Sequence, residues 1–302
     1  MSSDQVVKTL IPMLTVAEAA AAVGASLRLR REERQVAPEL RARLDAVLDV
    51  LGIHDAIDGL EDHESLALLG IVEGFLTQAA DFVGEPSRSV WDHEDPGILL
   101  AQGYTSVLVA GALRRFIVPA IGDDLARRLD EPDASFLDVG SGVAALSVAM
   151  CRIWPSLRVV GVDSWPPANA LAKEAVAAAG LEERIELHEG AIESLDDADR
   201  FAFAWVPTFF IGQPALTPAL GRVHAAMRPG GWVTLGIYAR PGDPFADALA
   251  DLRTVRQGGT LITPEEAAEL LEGAGFGDVA VHFDPEWKLP LVFVAGRRSA
   301  ES

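Results

Sequence analysis

Cysteine is nearly absent: Cys151 is the one example in 302 residues. No disulfide can close within the chain, and its place in an apolar helical stretch reads as packing rather than chemistry. Basic residues are also scarce, 25 Lys and Arg against 45 Asp and Glu, for a formal net charge of −20. That balance argues against nucleic acid, whose phosphates need a basic surface, and against an anionic membrane surface. Six histidines show no metal-ligand spacing, so no metal site is expected. Gly-x-Ser-x-Gly, paired-cysteine and Walker patterns are missing. No uncharged run reads as long enough to span a bilayer, and Pro12 and Glu18 interrupt the apolar N-terminal stretch where a signal peptide would lie. The expectation is a cytoplasmic protein with no membrane partner.

What remains can build a substantial core, since 49% of residues are apolar. From about Thr15 to Glu131 the spacing of apolar residues is helical. Thr15 and Glu18 offer a capping box, and Asp95-Pro96 pairs an N-cap with Pro at the first helical position. Glu131-Pro132-Asp133 marks a boundary. Beyond Ser135 short apolar strands alternate with helices, ending in two strands too close together for a helical crossover. Alternation of that kind implies a mostly parallel sheet covered on both faces, with an antiparallel edge.

The stretch Phe136-Leu137-Asp138-Val139-Gly140-Ser141-Gly142-Val143-Ala144-Ala145 reads as a buried strand, a tight glycine turn and a helix start. Glycines let the backbone approach a ligand, and the helix start supplies N–H groups beside them. Gly140-x-Gly142-x-x-Ala145 also fits the dinucleotide fingerprint. Asp138, inside the strand, argues for a cationic ligand group over a pyrophosphate. Asp163 ends the next strand, where an acid can accept from both ribose hydroxyls; that device serves NAD and other nucleoside cofactors alike. Further on, Arg228-Pro229-Gly230-Gly231 stops a helix and turns the chain into an apolar strand.

In order and kind, these stretches resemble class I S-adenosylmethionine (SAM) methyltransferases of the small-molecule type with an N-terminal helical domain, over about Ser135 to Ala295. The third glycine of that family's turn is Ala144 here. The resemblance implies a Rossmann-like α/β fold: a seven-stranded, mostly parallel sheet with helices on both faces, preceded by an all-helical domain. The expected division is residues 1–132 and 133–302. It implies SAM as cofactor, held by Asp138, Gly140, Ser141, Gly142 and Asp163, with Ser164 and Trp165 beside the adenine. The loop that carries an acid against the adenine in the family has Ala191 and Ile192 here, so backbone groups would do the reading. For Trp165 a helix-capping role is the competing reading.

The stretch Phe201 to Phe210 resembles the strand and turn that face the transferred methyl. Trp205, Phe209 and Phe210 could form an aromatic wall favouring a sulfonium, or be ordinary core. Relatives that deprotonate a hydroxyl often carry His after this turn; here Thr208, Phe209 and Phe210 stand there. The polar segment around Trp91 and His93 reads either as a lid or as a solvated connector. Acceptor-binding candidates are Trp91, His93, Tyr104, Thr208 and Phe209. The candidates for a base are His93 and Tyr238, the latter with an ordinary pKa too high for the task. In the family such helical additions cover the substrate site or build a homodimer. The expected function is SAM-dependent methyl transfer to a small organic molecule, mainly by proximity in an enclosed aromatic pocket. Another alkyl chemistry of SAM (intramolecular displacement of the azetidine-carboxylate-forming type), an NAD-dependent oxidoreductase and a non-catalytic SAM-binding subunit stay open.

Overall fold

A computed structural model describes residues 3–283 and 290–300. The N-terminal helices are α1 (Ser3–Arg31), α2 (Pro38–Leu51), α3 (His54–Asp58) and α4 (Asp62–Gly84). They share a small core of Leu27, Leu48, Ile57 and Leu69. Thr15 lies in mid-helix rather than at a start, its hydroxyl donating back to the Ile11 carbonyl. That bond satisfies the side chain locally, so the capping-box signature marks no boundary. Helix α5 (Pro96–Ala112) begins where the sequence places it: the Asp95 carboxylate accepts from the N–H groups of Gly97 and Ile98. A π turn (Leu113–Ile117), α6 (Val118–Ile121) and α7 (Asp123–Leu129) follow.

The sheet strands are β1 (Ser135–Val139), β2 (Arg158–Asp163), β3 (Ile185–Glu189), β4 (Phe201–Pro207), β5 (Met227–Tyr238), β6 (Phe276–His282) and β7 (Leu291–Arg298). Between them lie α8 (Ala145–Ile153), α9 (Pro166–Ala178), α10 (Gln213–Ala226), α11 (Pro244–Arg256) and α12 (Pro264–Gly273), plus 3-10 turns at Ile192–Ser194 and Thr208–Phe210. The order is β3-β2-β1-β4-β5-β7-β6; the first five run parallel and β7 pairs antiparallel with both neighbours. Strand β5 starts earlier than its apolar run suggests. Met227 pairs with Phe201 and Trp232 with Phe203, so Arg228–Gly231 bulge out opposite the single residue Ala202. Gly230 takes a φ of +76°, which a side chain would strain. The C-terminal strand reaches Arg298, whose guanidinium donates to the His224 and Ala225 carbonyls.

One face of the sheet presents Leu137, Val139, Val160, Val162, Val206 and Leu235 to α10 and α12, forming the main core. Packing gathers the chain into two compact units. One holds the helices up to Pro86 together with Leu100–Leu108; the other holds Ser87–Leu99 and the described residues from Val109 on. The segment Ser87–Leu99 therefore packs with the sheet.

Three helical stretches, Ser3–Arg31, Glu64–Gly84 and Pro96–Ile121, are long and apolar enough to cross a membrane by length and composition. This corrects the sequence-based exclusion of a spanning run. Residues 96–113 are 18 consecutive positions without a charge, and windows of the other two stretches carry no more than the two charges that a spanning helix tolerates.

Candidate functional site

In an open α/β sheet, ligands bind outside the carboxyl ends of the strands where the order reverses. Here that point lies between β1 and β4. The turn after β1 is held by the Val162 carbonyl, which accepts from the N–H groups of Gly140 at 2.8 Å and Ser141 at 3.1 Å. Gly140 and Gly142 have φ of +65° and +55°, and Ala144 follows at +60°. Three left-handed residues in such a short turn explain why glycine suits this pattern, and Ala144 adopts the same conformation at a cost. A Cβ built on Gly142 meets nothing within 4 Å, so the turn borders open space. The Ser141 hydroxyl is buried beside it with no hydrogen-bond partner.

Two carboxylates flank the turn. Asp138 is 1% exposed and accepts from the Ser147 hydroxyl at 2.7 Å. Burial, helped by repulsion from Asp163, pushes its pKa to about 7 against the relief that Ser147 gives. Asp163 accepts from the N–H groups of Gly142 and Trp165, each at 2.8 Å, and burial raises its pKa despite both bonds. Asn169 ties down the same strand end by donating to the Asp163 carbonyl. A buried acid held near neutrality and a second acid at the β2 end suit a ligand with a cationic group and a diol.

The remaining residues sort by place. Ser164 is exposed and Trp165 half-buried, its indole N–H donating to the His93 carbonyl at 2.7 Å. Ala191 is exposed at the start of a 3-10 turn, while Ile192 points into the main core. Trp205 pairs with Asp138 across β4 and β1, and its ring packs over Gly236 and lies 5.8 Å from Phe293. The wall of Trp205, Phe209 and Phe210 is thus divided: Trp205 packs on the sheet, and the two phenylalanines join another group.

That group is a chain of five rings. Tyr238 stacks on Phe209 at 4.6 Å, Phe209 meets Phe210 at 5.1 Å, Phe210 meets Trp91 at 5.1 Å and Trp91 meets His93 at 4.7 Å. Edge-to-face and offset contacts at these spacings are the favoured ring arrangements. His93 is buried, at 6% exposure. Sequence reasoning named all five rings but had no signal joining them, because their contacts run between loops far apart in the chain. Thr208 is committed elsewhere, its hydroxyl donating to the Gly236 carbonyl at 2.8 Å. Tyr104 sits in the other unit, its Cβ so near Gly70 that no larger residue fits there. The Tyr238 hydroxyl donates to Gln257 at 3.0 Å, and burial raises its pKa further. Among the described residues no group of His, Cys, Asp and Glu could hold a metal.

Comparison with known proteins adds the following. Residues 136–231 match the family described as a methyltransferase domain. No curated protein sequence matches the chain. Among solved structures, the SAM-dependent methyltransferase SibL is similar at 24% identity and TM-score 0.62, over 96% of this chain and 99% of its own. The mitomycin 7-O-methyltransferase MmcR is similar at 20% identity and TM-score 0.60, over 98% of both chains. Human N-acetylserotonin methyltransferase, solved with SAM, gives 16% and 0.58 over 99% of this chain and 100% of its own.

Proposed function

From a chain that carries a methyltransferase domain and has the fold of SAM-dependent methyltransferases along nearly its whole length, we propose that this protein transfers a methyl group from SAM to a small organic molecule. The observation that carries the reading is the pair of acids around the glycine turn. Asp138, buried and held near neutrality, gains most from a cationic partner, which the ammonium of SAM's methionine part would provide. Asp163 has lone pairs left for ribose hydroxyls. SAM, when bound, supplies a methyl on a good leaving group.

The chain's own residues then have to place the acceptor. Tyr238, Phe209, Phe210, Trp91 and His93 offer aromatic surface for that purpose. The turn from Pro207 to Phe210 holds no titratable group, and Tyr238 is moved away from a useful base pKa. Catalysis is therefore chiefly by proximity and orientation, which can lower a barrier by several kcal/mol. The acceptor best served is one already nucleophilic: an amine, an enolised carbon or an ionised oxygen.

We also read the protein as a homodimer. Residues 3–18 of α1 are all exposed, including Val6, Val7, Leu10, Ile11, Met13, Leu14 and Val16. An apolar face of that extent calls for a cover.

The cofactor reading is tested by titration calorimetry. S-adenosylhomocysteine should bind and NAD should not. Asp163→Ala should weaken binding by about 10- to 100-fold, as expected for hydrogen bonds to a charged group. Tight NAD binding, or an Asp163→Ala variant with native affinity, would sink the assignment.

A further inference from the structure

The segment Ser87–Asp95 has no helix or strand, yet it is pinned at three places within the unit that contains the sheet. At one side the Trp165 indole, just after β2, donates to the His93 carbonyl. At the other the Trp91 ring lies against Phe210, just after β4. At a third place Gly258 packs so close to Val90 that an added Cβ would come within 3.3 Å of its Cα. Strand β1 lies between β2 and β4. The strands that precede those anchors stand two spacings apart, about 10 Å, a distance that three extended residues with their side chains can cover. Trp91–His93 thus join the loop after β2 to the loop after β4, the strands on either side of β1.

We propose that Trp165 is a positioning residue, the latch of a strap formed by Trp91–His93 that closes over the cofactor crevice. This rests on the methyltransferase reading, since it assigns that crevice to SAM. It gives Trp165 a different task from stacking on adenine: its N–H, and not only its ring, is what the site needs. A latch of this kind holds Trp91 and His93 over the reacting end and makes cofactor entry and exit wait for the strap to lift.

The discriminating variant is Trp165→Phe, which keeps an aromatic face and loses the donor. Stopped-flow binding of S-adenosylhomocysteine should show association and dissociation both faster by about fivefold, the scale of one net hydrogen bond, with Kd changed by less than about twofold. Gly258→Ala, which brings a methyl to 3.3 Å from the Val90 Cα and also strains a backbone at φ +76°, should shift both rates the same way. In the unliganded protein, hydrogen exchange in residues 88–94 should quicken in both variants. That arm needs no ligand, so it reports on the strap even if the cofactor reading fails. A weaker Kd carried by dissociation alone would make Trp165 an adenine platform and overturn the latch. Unchanged rates together with unchanged exchange would show that the bond restrains nothing.

Discussion

Asp138 sits between a hydroxyl that favours its charge and a carboxylate that opposes it, in a place with no water to spare. Its pKa of about 7 leaves it only partly ionised at neutral pH in the free protein. A cation bound beside it favours the ionised form, so the bound pKa falls and a proton is released. The sign follows: affinity for S-adenosylhomocysteine rises with pH through about 7 and levels off above it. Between pH ~6 and ~8 the gain should be about tenfold, and calorimetry in buffers of different ionisation enthalpy should detect the released proton. Asp138→Asn should flatten the profile and bind weakly at every pH. A wild-type profile that is flat, or that falls with pH, would remove Asp138 from the ammonium site. The residue itself was legible in the sequence as an acid two positions before a glycine turn. Its protonation was not, because it depends on Ser147 and Asp163, which only folding brings near. Trp165 shows the same limit: its place after Asp163 was readable, and its bond to the His93 carbonyl was not.

Strand β5 shows how far local pattern carries and where packing takes over. The Arg-Pro-Gly-Gly turn was visible because its residue types carry their own backbone preferences, and the bulge at Arg228–Gly231 uses them. Gly236, by contrast, looks like an unremarked glycine within an apolar strand. It is required because Trp205 of the neighbouring strand lays its ring across it; a Cβ there would fall 2.1 Å from the indole. Phe293 on β7 closes the far side. Gly236→Ala should destabilise the fold by about 2 kcal/mol or more, as overpacking in a core does. Adding Trp205→Leu should return about 1 kcal/mol of that, a coupling that denaturant unfolding of the single and double variants measures. Strict additivity of the two losses would mean the indole is free to move aside. At this scale the strands, their order of appearance and the cap at Asp95 were readable from periodicity and residue type. The long α1 was not, because Thr15 and Glu18 imitate a helix start. The ring chain from Tyr238 to His93 was not either, since no local pattern links loops that meet only in the folded sheet.

The whole molecule carries a formal charge of −20, which opposes association of two copies wherever charges face each other. The first half of α1 is an exception. Residues 3–18 contain only Asp4, Lys8 and Glu18 as charged groups, and Asp4 and Lys8 pair at 3.1 Å. Self-association through that stretch therefore meets little repulsion. Its seven exposed large apolar side chains, at roughly 100 Å² each, supply nearly the ~800 Å² per partner of a standard stable interface. Sedimentation should find a dimer at micromolar concentration, insensitive to added salt because the contact is apolar. Leu10→Glu combined with Leu14→Glu should place charges at its centre and give a monomer of unchanged helix content. Two results would overturn the dimer. One is a wild-type protein that stays monomeric at about 100 μM, well above the range in which interfaces of this size usually assemble. The other is a monomer that floats with neutral phosphatidylcholine vesicles and loses that property in the double variant, since α1 is also long and apolar enough for a bilayer. In that case the cover on α1 is lipid, and the acidic charge of the remainder keeps the rest of the chain off the membrane surface.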